Sequence, residues 1–353
     1  MFWLTGLVFI LSAGLTGVAR AYALRRGLID RPNSRSSHNI ETPRGGGVAF
    51  VLVFLTALIW SFIYPVQGTY LADKLFVSLL LGGGLVALIG FIDDHQHVPI
   101  GLRFLVHILA AVVVVWVLGV PPIDLGIGLL TDGWWLSALF VIALVWLLNL
   151  YNFMDGIDGI ASLQAISVLC EAVIILMLNQ SGQEVTIWLL MLALSITGFL
   201  IWNWPPAKIF MGDAASGFLG FSLGVFALYT TQFFTISVWS WLILLGLFVV
   251  DASWTLGVRV LRGERWHQPH AKHAYQILAR QRYALNSSAG MPTEQARTEA
   301  HKWVVIRSFL INLCWLLPLA WLASVKPGYG LLLTFVAFLP LLFLVRRVGA
   351  GLD

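Results

Sequence analysis

The sequence predicts an all-α, polytopic integral membrane protein, and three observations carry that expectation. Of its 353 residues, 59% are hydrophobic and only 11% charged, whereas a soluble domain carries about a quarter of its residues as Asp, Glu, Lys and Arg. The mean hydropathy is +0.87, more apolar surface than a water-soluble globule of this size can hide. Finally, the apolar residues gather into windows near the roughly 20 residues that span a bilayer as a helix. An open strand edge cannot survive in lipid, so the windows are read as helices.

Taken in order, the windows fall near 2–24, 47–64, 73–92, 102–120, 134–152, 158–179, 185–203, 214–233, 237–259, 303–323 and 328–345, about eleven transmembrane helices. The first is not a secretory signal in form. A signal opens with a basic region, and here the first charge is Arg20, at the far end of the apolar run. Trp60, Tyr64, Trp134, Trp135, Trp188, Trp239 and Trp241 sit where interfacial aromatics belong. The segments near 25–46, 93–101, 203–213 and 260–302 are too polar to cross, and the last holds helical stretches near 272–285 and 293–302, with Thr293 as N-cap. Of the 21 Lys and Arg residues, all but Lys74 and Lys326 fall on one side of the membrane. That asymmetry predicts an N-terminus outside and a cytoplasmic C-terminus. The two cysteines, Cys170 and Cys314, lie in apolar runs without disulfide or metal-ligand spacing.

This topology gathers acids from separate stretches of chain on the basic side. Asp93 and Asp94 close the third window, at a helix C-terminus where the macrodipole disfavours them, so they call for a metal or a neighbouring Arg or Lys, unless they are a solvated helix end. In Asn149–Gly159, Asn152, Asp155 and Asp158 recur every three residues and share one side if that stretch is helical. Asp158 also reads as the N-cap of the next span. Asp213 follows a proline turn and opens a helix, either as its cap or as an anchor for a divalent cation. Arg259–His273 mixes three histidines with Arg259, Arg262, Arg265 and Lys272. It suits phosphate oxygens or anionic lipid, and lacks the Cys or Glu that would complete a zinc site. Arg44 precedes Gly45-Gly46-Gly47, whose amides can approach an anion closely. Asp251, deeper in its window, is read as pairing with an inward-facing cation. There is no Walker loop and no His-Glu-x-x-His. The start of a CDP-alcohol phosphotransferase motif at Asp158-Gly159 lacks the Arg and the later aspartates.

Together these segments resemble the family of polyprenyl-phosphate N-acetylhexosamine-1-phosphate transferases, glycosyltransferase family 4. The resemblance is carried by Arg31–His38 with Thr42–Gly47, by Phe91-Ile92-Asp93-Asp94, by Asn149–Gly159 and by Phe210-Met211-Gly212-Asp213, in order and over nearly the whole chain. Ala215-Ser216 replaces the family's usual Gly-Ser pair. The spacing of His267, His270 and His273 looks more like the branch that initiates O-antigen chains.

The resemblance implies one membrane-embedded transferase domain over 1–353, in a bacterial inner membrane with its active site on the cytoplasmic face. The implied reaction joins a sugar 1-phosphate from a UDP-N-acetylhexosamine to undecaprenyl phosphate and releases UMP. It further implies Mg²⁺, replaceable by Mn²⁺, on Asp213, and Asp93 or Asp94 near the lipid phosphate. Asn152, Asp155, Asp158 and Phe210 would lie on nucleotide or sugar, and Arg44, Arg103, His270 and His273 on phosphates. No nucleic acid is implied, and a homodimer stays open. The rival expectation is a cation-coupled secondary transporter, which usually binds near the bilayer midplane and shows repeat symmetry. Here the acids sit at one surface and no repeat is visible.

Overall fold

In a computed structural model of the chain, each apolar window is helical. The structure describes residues 2–32, 40–64, 73–96, 98–131, 133–264 and 270–352. The helices are α1 (Phe2–Arg26), α2 (Val48–Ile63), α3 (Asp73–His95), α4 (Ile100–Leu118), α5 (Trp134–Met154), α6 (Ile160–Leu178) and α7 (Gln183–Asn203). They continue with α8 (Asp213–Phe233), α9 (Val238–Leu244), α10 (Gly246–Leu261), α11 (Ala274–Ser288), α12 (Thr293–Val325) and α13 (Pro327–Arg347). Two antiparallel ribbons of two residues per strand lie in the connections. β1 (Ile29–Asp30) pairs with β2 (Thr42–Pro43), and β3 (Ile123–Asp124) with β4 (Leu129–Leu130).

Among the described residues nine helices are long and apolar enough to cross a membrane, and the α9–α10 pair makes a tenth if counted as one span. The count of about eleven is reached only with α2, whose 16 residues extend about 24 Å at 1.5 Å per residue, short of a hydrocarbon core of about 30 Å. The ninth window is not straight. It bends by 75° between α9 and α10, where a side chain on Gly246 would meet the Phe338 ring at 2.7 Å. The Leu244 carbonyl near the break accepts a hydrogen bond from Asn312 Nδ2 at 3.2 Å, so the freed backbone group keeps a partner inside the membrane. The separate cytoplasmic helix expected at 293–302 and the span after it form one continuous 33-residue α12. No Gly or Pro interrupts it before Pro318. Thr293 is its first helical residue and not its cap.

The bundle is organised around α8, whose apolar window is 89% buried, against 22% for α1 and 28% for α13. It packs mainly on α3 and α5. A Cβ on Gly90 would stand 2.6 Å from the Ala214 backbone, and that small residue lets α3 approach the first turn of α8 closely. The start of α8 is thereby fixed beside the end of α3, at the end of the bundle that carries most of the Arg and Lys residues.

Candidate active site

The site is built on the first turn of α8. Gly212 enters it at φ +87°, and a Cβ there would stand 2.9 Å from the Asp94 carboxylate. Asp94 reaches across from α3 and accepts the backbone N–H groups of Asp213 and Ala214, each at 3.2 Å. The helix is therefore capped from another helix, and Asp213 is its first residue and not its cap. The first loop completes the turn. Gly46 and Gly47 donate to the carbonyls of Phe210 and Met211 at 2.9 and 3.0 Å, and Phe210 donates to Pro43. Arg44 Nη2 donates to the Asp94 carbonyl at 3.1 Å. Both terminal acids of α3 thus have partners: Asp93 binds Arg103, which also stands 3.4 Å from Asp213.

The other wall comes from the link between α5 and α6. Asn152, still helical, donates to Asp213 Oδ1 at 2.9 Å and to Ser216 at 3.1 Å. The helix ends at Met154, so Asp155 and Asp158 do not continue its face as the three-residue spacing predicts. The turn through Gly156 and Gly159 brings them to the same cavity all the same. Asp158 is not the cap of α6. Gly159 holds that position at φ +75°, while Asp158 accepts the Ala207 N–H at 3.1 Å and lies 3.3 Å from His301 Nδ1.

These groups enclose a cavity of about 270 Å³, lined by Arg44, Asp94, Asn152, Asp155, Asp158, Phe210, Asp213 and Ser216 among others. Arg103 stands one contact away, joined to the cavity through Asp213, and Asp93 lies behind it, bound to Arg103. Three further lining residues escaped the sequence reading: Asn203, Gln276 and His301. Asn203 ties the acidic turn to the loop before α8, accepting from Gly159 N–H and donating to the Ile209 carbonyl. Gln276 and His301 arrive on the polar hairpin α11–α12. Gln276 closes the segment after His273 that the family resemblance already covers, though no role was read for it, and His301 sits among charged residues that no motif marks.

Electrostatics separates the two acids of the turn. Burial, then the charges of Asp213 and Asp158, push the Asp155 carboxyl well above its usual range. No hydrogen bond engages its side chain among the described residues. Burial also raises Asp158, but the His301 contact, the Ala207 N–H and the charge of Arg297 outweigh it and hold this carboxyl below the ordinary value. Among the described residues no three His, Cys, Asp or Glu groups form a complete cage for an ion. Even so, the unpartnered Asp155 and the half-exposed Asp213 make an all-oxygen donor set, which suits a hard cation whose remaining ligands are waters and phosphates.

The histidine loop lies elsewhere. His273 is buried with Nδ1 3.3 Å from Asp251, and Asp251 also accepts the Ala274 and Tyr275 N–H groups at 2.9 and 3.1 Å. Asp251 thus caps α11 and partners a histidine. The neighbouring Arg259 pairs with Glu264 at 2.9 Å, as does Lys272 at 3.1 Å. Hydrogen bonds from Arg259 and Lys272 hold the Glu264 carboxyl below its usual range. His270 is pushed down to about 3, first by burial and then by His273, Arg259 and Lys272, so near neutrality its ring is an uncharged donor. Neither His270 nor His273 is among the residues lining the cavity. His38 and His267, with the rest of 33–39 and 265–269, lie outside the described residues.

An acidic cavity at one end of a bundle of helices long and apolar enough to cross a membrane defines a polytopic membrane protein with a polar site. Residues 76–231 match the model of glycosyl transferase family 4. The chain is 27% identical to a probable undecaprenyl-phosphate N-acetylglucosaminyl 1-phosphate transferase of Bacillus subtilis, over 75% of this chain and 73% of the relative. It is 30% identical to an undecaprenyl-phosphate alpha-N-acetylglucosaminyl 1-phosphate transferase of Yersinia pestis, over 64% and 61%. With a phospho-N-acetylmuramoyl-pentapeptide-transferase of Symbiobacterium thermophilum the identity is 33%, over 66% of this chain and 78% of the relative. The chain belongs to glycosyl transferase family 4.

Proposed function

We propose that this protein transfers a sugar 1-phosphate from a UDP-N-acetylhexosamine to a polyprenyl phosphate, releasing UMP. The observation that carries this reading is the cavity itself, which gathers the carboxyls of Asp94, Asp155, Asp158 and Asp213 with Arg44, and with Arg103 beside Asp213, at one end of the bundle. There a lipid phosphate and a water-soluble nucleotide can meet. The names of the relatives support the same reaction.

In the proposed step an oxygen of the lipid phosphate attacks the sugar-bearing phosphorus of the donor. One P–O bond forms, the bond to the UMP phosphate breaks, and the leaving charge departs on UMP. Such a transfer needs positioning and charge neutralisation more than covalent chemistry from the protein. Mg²⁺, or Mn²⁺ in its place, held by Asp213 with Asp155, would neutralise the diphosphate. Asn152 fixes the Asp213 carboxylate by its hydrogen bond. Arg44 and Arg103 draw in phosphate, Asp94 holds the first turn of α8 in place, and Phe210 offers a ring face for uracil. Asp158 and Asn203 tie down the loop that carries Phe210.

The same reading puts the basic end in the cytoplasm and gives the product a place at the start of O-antigen or related envelope polysaccharide synthesis. The decisive assay uses purified protein in detergent with undecaprenyl phosphate, Mg²⁺ and a panel of UDP-sugars, including UDP-GlcNAc and its 6-deoxy relatives. UMP release that requires the lipid phosphate supports the proposal. No release with any donor, from protein that remains folded, rejects it.

A further inference from the structure

Behind the acidic cavity lies a second one of about 220 Å³, walled by α10, α11, α12 and α13 and almost wholly apolar. Tyr275 separates the two. It lines the second cavity, while its hydroxyl donates to the Phe153 carbonyl and packs on Gly156 of the first. Protein interiors hold few voids larger than a water molecule, so a space of this size and polarity calls for an apolar occupant.

Its edge says which kind. Leu344 and Val345 of the lining lie in the last turn of α13, directly before Arg346 and Arg347, which places the cavity at the basic boundary of the bundle. Arg307 lines it, with its guanidinium 4.1 Å from the centre of the Trp303 ring, and Arg282 stands 5.7 Å from the same ring. Arg282 Nε is buried and has no hydrogen-bond partner. None of these four arginines forms an ion pair among the described residues. The one acid in the lining, Asp251, is already engaged by the first amides of α11. The site thus joins an apolar slot to uncompensated cations at headgroup depth, the pairing that recognises an acyl chain ending in a phosphate.

We propose that this cavity binds a phospholipid with a net anionic headgroup, one acyl chain lying among Leu278, Leu344 and Val345 and the phosphate on Arg282 and Arg307. The bound lipid forms the back wall of the α11–α12 hairpin, which carries Gln276 and His301 to the first cavity.

The test is native mass spectrometry of the detergent-purified full chain, titrated separately with dioleoyl phosphatidylglycerol, dioleoyl phosphatidylcholine and undecaprenyl phosphate. The expected result is one phosphatidylglycerol per chain, bound at least about tenfold more tightly than phosphatidylcholine. The Arg282→Ala, Arg307→Ala double variant should weaken it by a similar factor. Leu344→Trp, which fills the slot and leaves the arginines, should also lose the lipid, and it decides the matter if the double variant does not fold. Equal affinity for phosphatidylcholine, or unchanged phosphatidylglycerol binding in the folded variants, overturns the proposal. So does displacement of phosphatidylglycerol by an equimolar amount of undecaprenyl phosphate, which would make the cavity part of the acceptor site.

Discussion

The carboxylate of Asp94 accepts the backbone N–H of Asp213 at 3.2 Å, joining residues 119 positions apart. One acid supplies the side chain and the other the main chain of the same helix start. At the end of α3 the macrodipole opposes Asp94, but the positive end of α8 lies against it. A partly buried charge in that position gains up to about 2 kcal/mol, against a few tenths lost at an exposed C-terminus. An acid that looks misplaced in sequence thus finds two amides to accept in the fold, and its position leaves Asp213 at the head of the cavity.

Removing that cap should cost stability as well as activity. Asp94→Ala deprives two amides of a charged acceptor and is expected to destabilise the protein by about 3 kcal/mol, read as a lowered unfolding temperature in detergent. Asp93→Ala leaves α8 capped and should cost about 1 kcal/mol. Equal losses would mean that Asp94 does not hold the start of α8.

Chelation should silence the enzyme. EDTA is expected to abolish UMP release and Mg²⁺ or Mn²⁺ to restore it, since oxygen donors suit hard cations. Asp213→Asn should lower kcat by about 100-fold or more, on the scale of removing a preorganised charge from a reaction site. Asp73→Asn, at the opposite end of α3, should leave kcat unchanged. Full turnover in metal-free buffer would overturn the assignment.

Acid should act on the turn at Asp158. Its folded carboxyl lies below the ordinary value, which is about 3.9. The stabilisation it brings is therefore complete above that pH and lost as pH falls through the depressed folded value. Asp158→Asn should flatten the fall in unfolding temperature below pH 4, and His301→Ala should move that fall to higher pH. Superimposable acid limbs in all three proteins would show that the carboxyl carries no such linkage.

Labelling should reveal the sidedness. With Cys170 and Cys314 replaced by Ala, a cysteine at the exposed Ser287, on α11, should react with an impermeant thiol reagent only after the membrane is opened. One at the exposed Gly128, beside β4, should react in intact spheroplasts. The reverse pattern would invert the orientation.

The transfer should proceed by single displacement. Cationic neighbours such as Arg103 and Arg44 stabilise carboxylate charge and blunt its nucleophilicity, whereas the lipid phosphate is a nucleophile that binding brings into line. With all polyprenyl phosphate removed, radiolabelled UMP should not exchange into UDP-sugar. Rapid exchange abolished by Asp94→Asn would establish a covalent intermediate instead.

What the sequence made legible follows from how local each cause is. A membrane helix is specified by its own apolar run, so the windows appeared near their observed bounds, except that the one at 303–323 is the later part of α12. The acids were legible because topology alone sends Asp94, Asp155 and Asp213 to one end. The end of α5 near Met154 was legible too, since Gly156 and Gly159 read as turn residues, but the packing of that turn was not. The turn packs closely, with Gly156 against the Tyr275 hydroxyl, a contact from 119 residues further on that the sequence does not announce. The bend before Gly246 and the roles of Gln276 and His301 likewise depend on partners in distant helices, and a single residue type at a single position carries no trace of them. The windows also concealed α12, because a polar stretch and the apolar stretch after it read as two elements when nothing between them breaks the helix.

The short α2 has a mechanical consequence for the membrane around it. Its helical length falls about 6 Å below the hydrocarbon thickness, and such a mismatch is relieved by thinning of the adjacent bilayer. Its first turn follows Gly46 and Gly47, which are bonded to the loop before α8. Thinning at that end of α2 would bring the headgroup plane down beside the acidic cavity. Under the proposed function, a lipid phosphate would then approach Asp213 by lateral diffusion, without being lifted out of its own layer.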